Sequence, residues 1–268
     1  MDLQLSGKRA LVTGSSSGIG VGIAQILAQE GCAVVVHGRN RERTEQTARD
    51  VKVAGIAVGT LATDEGAASV HEQAIAALGG PIEILINNAG GTDGDSTNRP
   101  PMNITVEEWL SAYNNNTLAA VRLALAAVPS MLAAKWGRVI NISSAVALQP
   151  NSLGTDYSGA KASLNNFTVS LAGSLHGTGV TVNTVSPGII MTTGLLAFGR
   201  DTYGNPNLTG QEIGDRMVAD KIFEYPPSGR LGIPEDIAIV VATLASPRSG
   251  FVNGSNYRVD GGQVRAVI

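Results

Sequence analysis

Ala10-Leu11-Val12-Thr13-Gly14-Ser15-Ser16-Ser17-Gly18-Ile19-Gly20 is an apolar run that breaks into a turn of glycine and serine and then opens a helix-like segment ending near Glu30-Gly31. The pattern reads as strand, turn and helix. Gly14, Gly18 and Gly20 remove side chains where the backbone must turn sharply and approach a ligand, and the free N–H groups of a helix start attract anionic phosphate. Cys32-Ala33-Val34-Val35-Val36 follows as a continuous, β-branched run suited to a buried parallel strand, which completes a βαβ unit. Glycines at this spacing also occur in ordinary turns. In a βαβ context they predict a dinucleotide site, with Gly14, Ser15, Ser16, Ser17, Gly18, Ile19 and Gly20 against the ligand.

The rest of the chain is compatible with one large α/β domain spanning 1–268: 43% of its residues are hydrophobic and only 15% charged, enough for a substantial core. A formal charge of −3 argues against a reader of nucleic-acid phosphates, which concentrates Lys and Arg on one face. The start lacks the basic-then-apolar pattern of a signal peptide, and the longest apolar stretch, around 118–134, is interrupted by Arg122 and Pro129. The expectation is a soluble, cytoplasmic protein with no membrane partner. The single cysteine, Cys32, sits in an apolar strand pattern and reads as a small buried hydrophobe. His37, His71 and His176 are scattered without metal-ligand spacing, so no metal site is expected.

Apolar strand candidates recur at 9–12, 33–36, 56–61, 82–86, 138–142, 180–185 and 256–259. Between them, segments around 20–30, 41–53, 65–78, 105–135, 158–176 and 234–245 show helical periodicity. Such alternation predicts a doubly wound Rossmann architecture, a seven-stranded parallel sheet covered on both faces. Two irregular regions, 91–102 and 193–228, follow strand ends, where ligands bind in open parallel sheets. The second is the expected substrate lid. Its Leu195, Leu196, Phe198, Tyr203, Met217, Ile222, Phe223 and Tyr225 either enclose a carbon skeleton or pack the lid against the body, and Arg200, Arg216 and Lys221 are its basic residues.

Tyr157 and Lys161 stand four residues apart, on one face of a helix. A neighbouring cation stabilises phenolate, which eases proton exchange with a carbonyl oxygen near neutral pH. Thirteen positions earlier, Ile140-Asn141-Ile142-Ser143-Ser144 ends a strand in hydroxyls that can bond the same oxygen as negative charge develops on it.

These motifs, with Asn87-Asn88-Ala89-Gly90 closing the fourth strand and Pro187-Gly188-Ile189-Ile190-Met191-Thr192 after the sixth, resemble the short-chain dehydrogenase/reductase family over nearly the whole chain. Gly229-Arg230-Leu231-Gly232-Ile233-Pro234-Glu235-Asp236-Ile237-Ala238 and Val259-Asp260-Gly261-Gly262 resemble its C-terminal motifs. The resemblance implies a Tyr157 acid or base, a Lys161 that lowers the tyrosine pKa and binds the nicotinamide ribose, and a Ser144 that orients the carbonyl. It also implies an asparagine of a water-linked relay, seven residues after Trp109, which selects Asn116 from the run Asn114-Asn115-Asn116. Asn88, Ala89, Gly90, Pro187, Gly188, Ile190 and Thr192 are the implied remaining cofactor contacts.

His37-Gly38-Arg39-Asn40 follows the second strand, where an acid would select NAD(H); Arg39 instead suits a phosphate, with Ser15 and Ser16 as neutral donors, so NADP(H) is favoured. Where the family carries an aspartate for adenine, this chain reads Gly59-Thr60-Leu61. The implied activity is ketone–alcohol interconversion on a small molecule. A 3-oxoacyl-carrier-protein reductase and an inactive cofactor-binding sensor or scaffold are the alternatives. The resemblance further implies a homotetramer or homodimer, whose helices meet through Ala119, Ala120, Ala124, Ala126 and Ala127 unless these pack within the subunit.

Overall fold

The computed structural model describes residues 2–91 and 99–266. Among them, β1 (Arg9–Val12), β2 (Ala33–Gly38), β3 (Gly55–Val58), β4 (Ile84–Asn87), β5 (Gly137–Ile142), β6 (Val180–Pro187) and β7 (Asn256–Val259) pair in parallel, in the order β3-β2-β1-β4-β5-β6-β7. Side chains along each strand alternate between two cores. Val12, Val34, Val36, Ile84, Ile86 and Ile140 pack against α1 (Gly18–Gln29) and α9 (Pro234–Ala245). Leu11, Val35, Leu85, Val139 and Val182 face the other way, against α3 (Asp64–Leu78), α5 (Ala119–Ala134) and the end of α6 (Thr155–Ser174). The remaining helices are α2 (Arg41–Val51), α4 (Val106–Tyr113), α7 (Thr193–Thr202) and α8 (Gly210–Ala219). The doubly wound seven-stranded sheet is therefore as expected.

Several local expectations are corrected. The third strand stops at Val58: the Gly59 amide makes the last ladder bond, to the Gly38 carbonyl, and the loop that follows is held by other groups, Asn114 Nδ2 donating to the Ala62 carbonyl at 2.9 Å and Arg122 to the Leu61 carbonyl at 3.2 Å. The helix expected around 105–135 is present and runs on through Arg122 and Pro129. Val106–Ala134 is one helical run, widened into a π-turn at Asn114–Leu118. By length and composition that run is apolar enough to cross a membrane, yet its Leu123, Ala127 and Met131 lie in the core beneath the sheet. Ala119, Ala120, Ala124 and Ala127 are buried there too, so they pack within the subunit. Residues 92–98 of the first irregular region lie outside the described residues.

The order of strands reverses between β1 and β4, which opens a crevice beyond their carboxyl ends. Thr13 closes its floor. Its buried hydroxyl accepts the amides of Asn88 (3.0 Å) and Ala89 (2.9 Å), while Asn88 Nδ2 donates to the carbonyls of Thr13 (2.8 Å) and Gly14 (3.0 Å). Thr13→Val keeps the shape and deletes the acceptor, and an unpaired buried amide costs about 1–3 kcal/mol. The expected outcome is a lower urea midpoint at unchanged m-value; an unchanged midpoint would show that the clasp contributes nothing net.

Candidate active site

The crevice continues as a groove with two chambers. One, about 660 Å³, is lined by Gly14, Ser16, Ser17, Arg39, Arg43 and the wall 60–62; the other, about 240 Å³, by Ile19, Asn88, Ser143, Tyr157, Lys161 and Thr192. Gly14, Ser17, Ala89, Gly90 and Gly91 belong to both. A Cβ on Gly14, which adopts φ +60°, would fall 2.7 Å from the Ala89 Cα, so glycine alone lets the turn reach the end of β4. Gly20 is as tight, 2.6 Å from Asn88 Nδ2, and Gly18 faces the Thr192 methyl. Ser17 precedes α1 without capping it through its side chain, which leaves the first-turn amides beside the groove for an anion.

Not every expected contact faces the groove. Ser15 is fully buried; its hydroxyl donates to the Val12 carbonyl at 2.6 Å and accepts the His37 amide at 2.9 Å, so it is unavailable as the phosphate donor expected of it. Ser16 lines the chamber. Pro187, Gly188 and Ile190 do not line either chamber; Ile190 is buried beside Gly232, with which it forms a bridge. Thr60 has its hydroxyl taken by the Ala62 amide at 3.1 Å, and Leu61 is buried.

At the catalytic end, α6 starts after Gly154 and carries Tyr157 and Lys161 on successive turns, with the Lys161 Nζ 5.7 Å from the phenol ring centroid. That ammonium donates to the Ile142 carbonyl at 2.9 Å. The two serines divide. Ser143 is buried and donates to the Lys161 carbonyl at 3.1 Å, whereas Ser144, half-buried, reaches the Tyr157 hydroxyl. Among the three asparagines, Asn116 is the one turned towards this end. Its Nδ2 donates to the carbonyls of Gly91 (2.7 Å) and Ala112 (2.9 Å), and its Oδ1 accepts the Gly91 amide at 2.8 Å. A Cβ on Gly90 would lie 2.5 Å from Asn116 Oδ1 and 3.1 Å from Lys161 Nζ. The side chain of Asn116 therefore fixes the loop against which the lysine sits, and Asn114 belongs instead to the 60–62 wall of the larger chamber.

The model of the short chain dehydrogenase family matches residues 8–202. The chain belongs to the short-chain dehydrogenases. Over their full lengths it is 38% identical to an uncharacterized oxidoreductase of Bacillus subtilis, YvaG. It shares 36% identity with the 3-oxoacyl-[acyl-carrier-protein] reductase FabG of Pseudomonas aeruginosa, covering 97% of this chain and 98% of that one. Among solved structures, L-sorbose reductase from Gluconobacter frateurii, complexed with NADPH and L-sorbose, superposes with a TM-score of 0.88 at 33% identity, covering all of both chains. This dehydrogenase is accordingly an oxidoreductase of CH–OH and C=O groups, in a family that uses NAD(P)(H). Its groove fits such a cofactor, being bare of side chains at Gly14 and open at the start of α1.

Arg43 is a lining residue that the sequence pattern did not single out. Arg41 pairs with Glu45 at 3.6 Å, while Arg43, one turn on from Arg39, joins it in lining the chamber. Neither Arg39 nor Arg43 has an acidic partner among the described residues. Ser111, which carried no sequence signal, also lines this chamber, with Asn115 and Ala119.

Burial raises the Tyr157 phenol above its ordinary value, and the Ser144 hydroxyl pulls the other way. The expected lowering by Lys161 is not part of that balance. Burial acts on the lysine itself, pushing it down from 10.5 to about 8. Its folded pKa lies below the unfolded one, so the unfolded chain binds more protons between about 8 and 10.5 and stability rises with pH in that window. Lys161→Met should therefore melt higher than the native protein at pH 7, by about 2–6 °C, with the gain fading above pH 8 and with loss of turnover. A lower melting temperature in a pH series would mean that the ammonium is net stabilising.

Proposed function

We propose that this dehydrogenase interconverts a ketone and a secondary alcohol with NADP(H), Tyr157 exchanging the proton with the substrate oxygen. The reading rests above all on one arrangement: Tyr157, Ser144 and Lys161 converge at one end of a groove whose other end is faced by Arg39 and Arg43. When bound, the nicotinamide supplies or accepts the hydride at the substrate carbon. Ser144 donates to the carbonyl oxygen, stabilising the charge that grows there, and Tyr157 delivers the proton. Lys161, an ammonium below about pH 8, holds the nicotinamide ribose and steadies the phenolate left behind. Asn116 keeps Gly90 and Gly91 in place beside it.

For the cofactor, the absence of an acid after β2 and the paired guanidinium groups of Arg39 and Arg43 favour a 2′-phosphate, as does the NADPH carried by the L-sorbose reductase. The 193–228 region is the substrate lid, but its apolar residues mainly serve its own small core. Leu208, Ile213 and Met217 pack with Met191, Leu195, Leu196, Tyr203 and Phe223. Arg200 is bonded to the Leu208 carbonyl and Arg216 lies over the Tyr203 ring, so neither is free to select an acidic substrate. A small, uncharged ketone fits best. The subunits form a homotetramer or homodimer in the cytoplasm, through exposed Val106, Leu110, Leu125 and Val169 on α4, α5 and α6 rather than through the alanines.

Steady-state rates on a ketone panel that includes L-sorbose and an acetoacetyl thioester test the reading. NADPH should exceed NADH in kcat/KM by at least about tenfold, and Arg39→Asp should reverse that order; a preference unchanged in the variant would remove the phosphate clamp. Tyr157→Phe should lower carbonyl reduction by at least about 100-fold while NADPH still binds. Turnover confined to carrier-bound 3-oxoacyl thioesters would move the substrate class to that of the FabG relatives, and NADPH binding with no turnover of any carbonyl would return a sensor or scaffold.

A further inference from the structure

His37 ends β2, is 2% exposed, and takes no part in the chemistry above. Its ring nevertheless joins two pieces of the groove. Nδ1 accepts the Gly14 amide at 3.1 Å, and Nε2 lies 3.1 Å from the Gly59 carbonyl, to which it donates. Only the neutral Nε2–H tautomer satisfies both bonds. Its main chain is equally constrained: the His37 amide donates to the Ser15 hydroxyl at 2.9 Å and its carbonyl accepts the Ser15 amide at 2.9 Å. Gly14 is the floor of the larger chamber, Gly59 leads into its 60–62 wall, and the imidazole itself lines it between the two.

We propose that His37 is a positioning residue for the dinucleotide cleft, its imidazole setting the glycine turn at a fixed distance from the adenosine-side wall. On one side the turn is stopped by Ala89, against which Gly14 has no room for even a Cβ. On the other it is held by the ring. Removing the acceptor leaves the Gly14 amide without a partner and frees floor and wall to move independently. Burial, with the Arg39 charge adding to it and the Gly59 carbonyl opposing, holds the ring down at about 4, so it stays neutral in the ordinary working range. Since the ring touches the turn rather than the 2′-position, its loss weakens both nicotinamide cofactors alike, unlike a change at Arg39.

This inference rests on the groove being the cofactor site, and the experiment separates the two. NADPH and NADH are titrated by fluorescence against the native protein, His37→Leu and His37→Gln, with urea midpoints alongside. His37→Leu should bind both cofactors about tenfold or more weakly, with KM for the cofactor changing at least about fivefold more than kcat. His37→Gln, which offers an acceptor and a donor on one side chain, should recover most of the loss. A folded His37→Leu protein with native affinities overturns the inference; a native protein that binds neither cofactor overturns the site reading instead. Should His37→Leu not fold, the native protein still decides: long-range ¹H–¹⁵N spectra must show His37 as the neutral Nε2–H tautomer at pH 7, and either the Nδ1–H form or an imidazolium refutes the brace.

Discussion

The approach of the Gly14 backbone to within a missing Cβ of Ala89 is the constraint from which the rest of the site follows. It brings the ends of β1 and β4 together at the one place in the sheet where successive strands run off in opposite directions. Two backbone segments so close would bury several amides and carbonyls without partners, and Thr13 and Asn88 supply those partners from side chains. Where the two segments meet, at Gly14, Gly90 and Gly91, the groove is consequently bare of side chains. That is what lets an anionic ligand meet unobstructed N–H groups at the start of α1. A bulkier residue at Gly14 or Gly20 would act first on the fold and only then on affinity.

The catalytic end obeys a different economy of charge. Lys161 is a buried cation with one carbonyl bond and no carboxylate among its described partners, and Tyr157 is a half-buried phenol whose ionisation is opposed by its partial removal from solvent. Neither would be selected for stability alone. Together they form a pair in which the proton-bearing phenol and the charged ammonium are the favoured states near neutrality, the states that carbonyl reduction needs. The cost of burying the ammonium is offset by the Ile142 carbonyl at the end of β5, while the Ser143 hydroxyl just beyond that strand holds the Lys161 main chain, and no mobile counter-ion is involved among the described residues.

Features that act through backbone geometry were legible in the sequence. The glycine turn between β1 and α1, the order of apolar strands and the placing of Tyr157 and Lys161 on one helix are as read, apart from the third strand, which ends at Val58. What escaped was the direction of individual polar side chains. Ser15 and Ser16 are identical in sequence context, yet one hydroxyl turns inward to Val12 and His37 while the other faces the chamber. His37 read as a stray histidine, since its partners, Gly14 and Gly59, are main-chain groups and leave no pattern of residue types. The alanines of α5 suited a helix–helix approach equally well inside or between subunits, and only the rotation of the helix about its axis decides, a rotation that the π-turn at Asn114–Leu118 resets.

The two ends of the groove therefore differ in how they sense charge. Arg39 and Arg43 stand exposed on the rim, where solvent screens each guanidinium and a single ion pair is worth little, so the proposed choice of NADP(H) would depend on two forks meeting one doubly charged group. At Tyr157 and Lys161 the groups are further from bulk solvent, Lys161 buried and Tyr157 half-buried, so burial shifts both their pKa values. Gly90 and Gly91 lie between, lining both chambers, and Asn116 holds Gly91 by two bonds from a turn whose wider pitch places that side chain inward. On the proposed reading, a cofactor anchored at the screened rim would reach the smaller chamber along the Gly14, Gly90 and Gly91 main chain, and the rigidity of that track, rather than the strength of the anchor, would decide whether the reacting atoms meet.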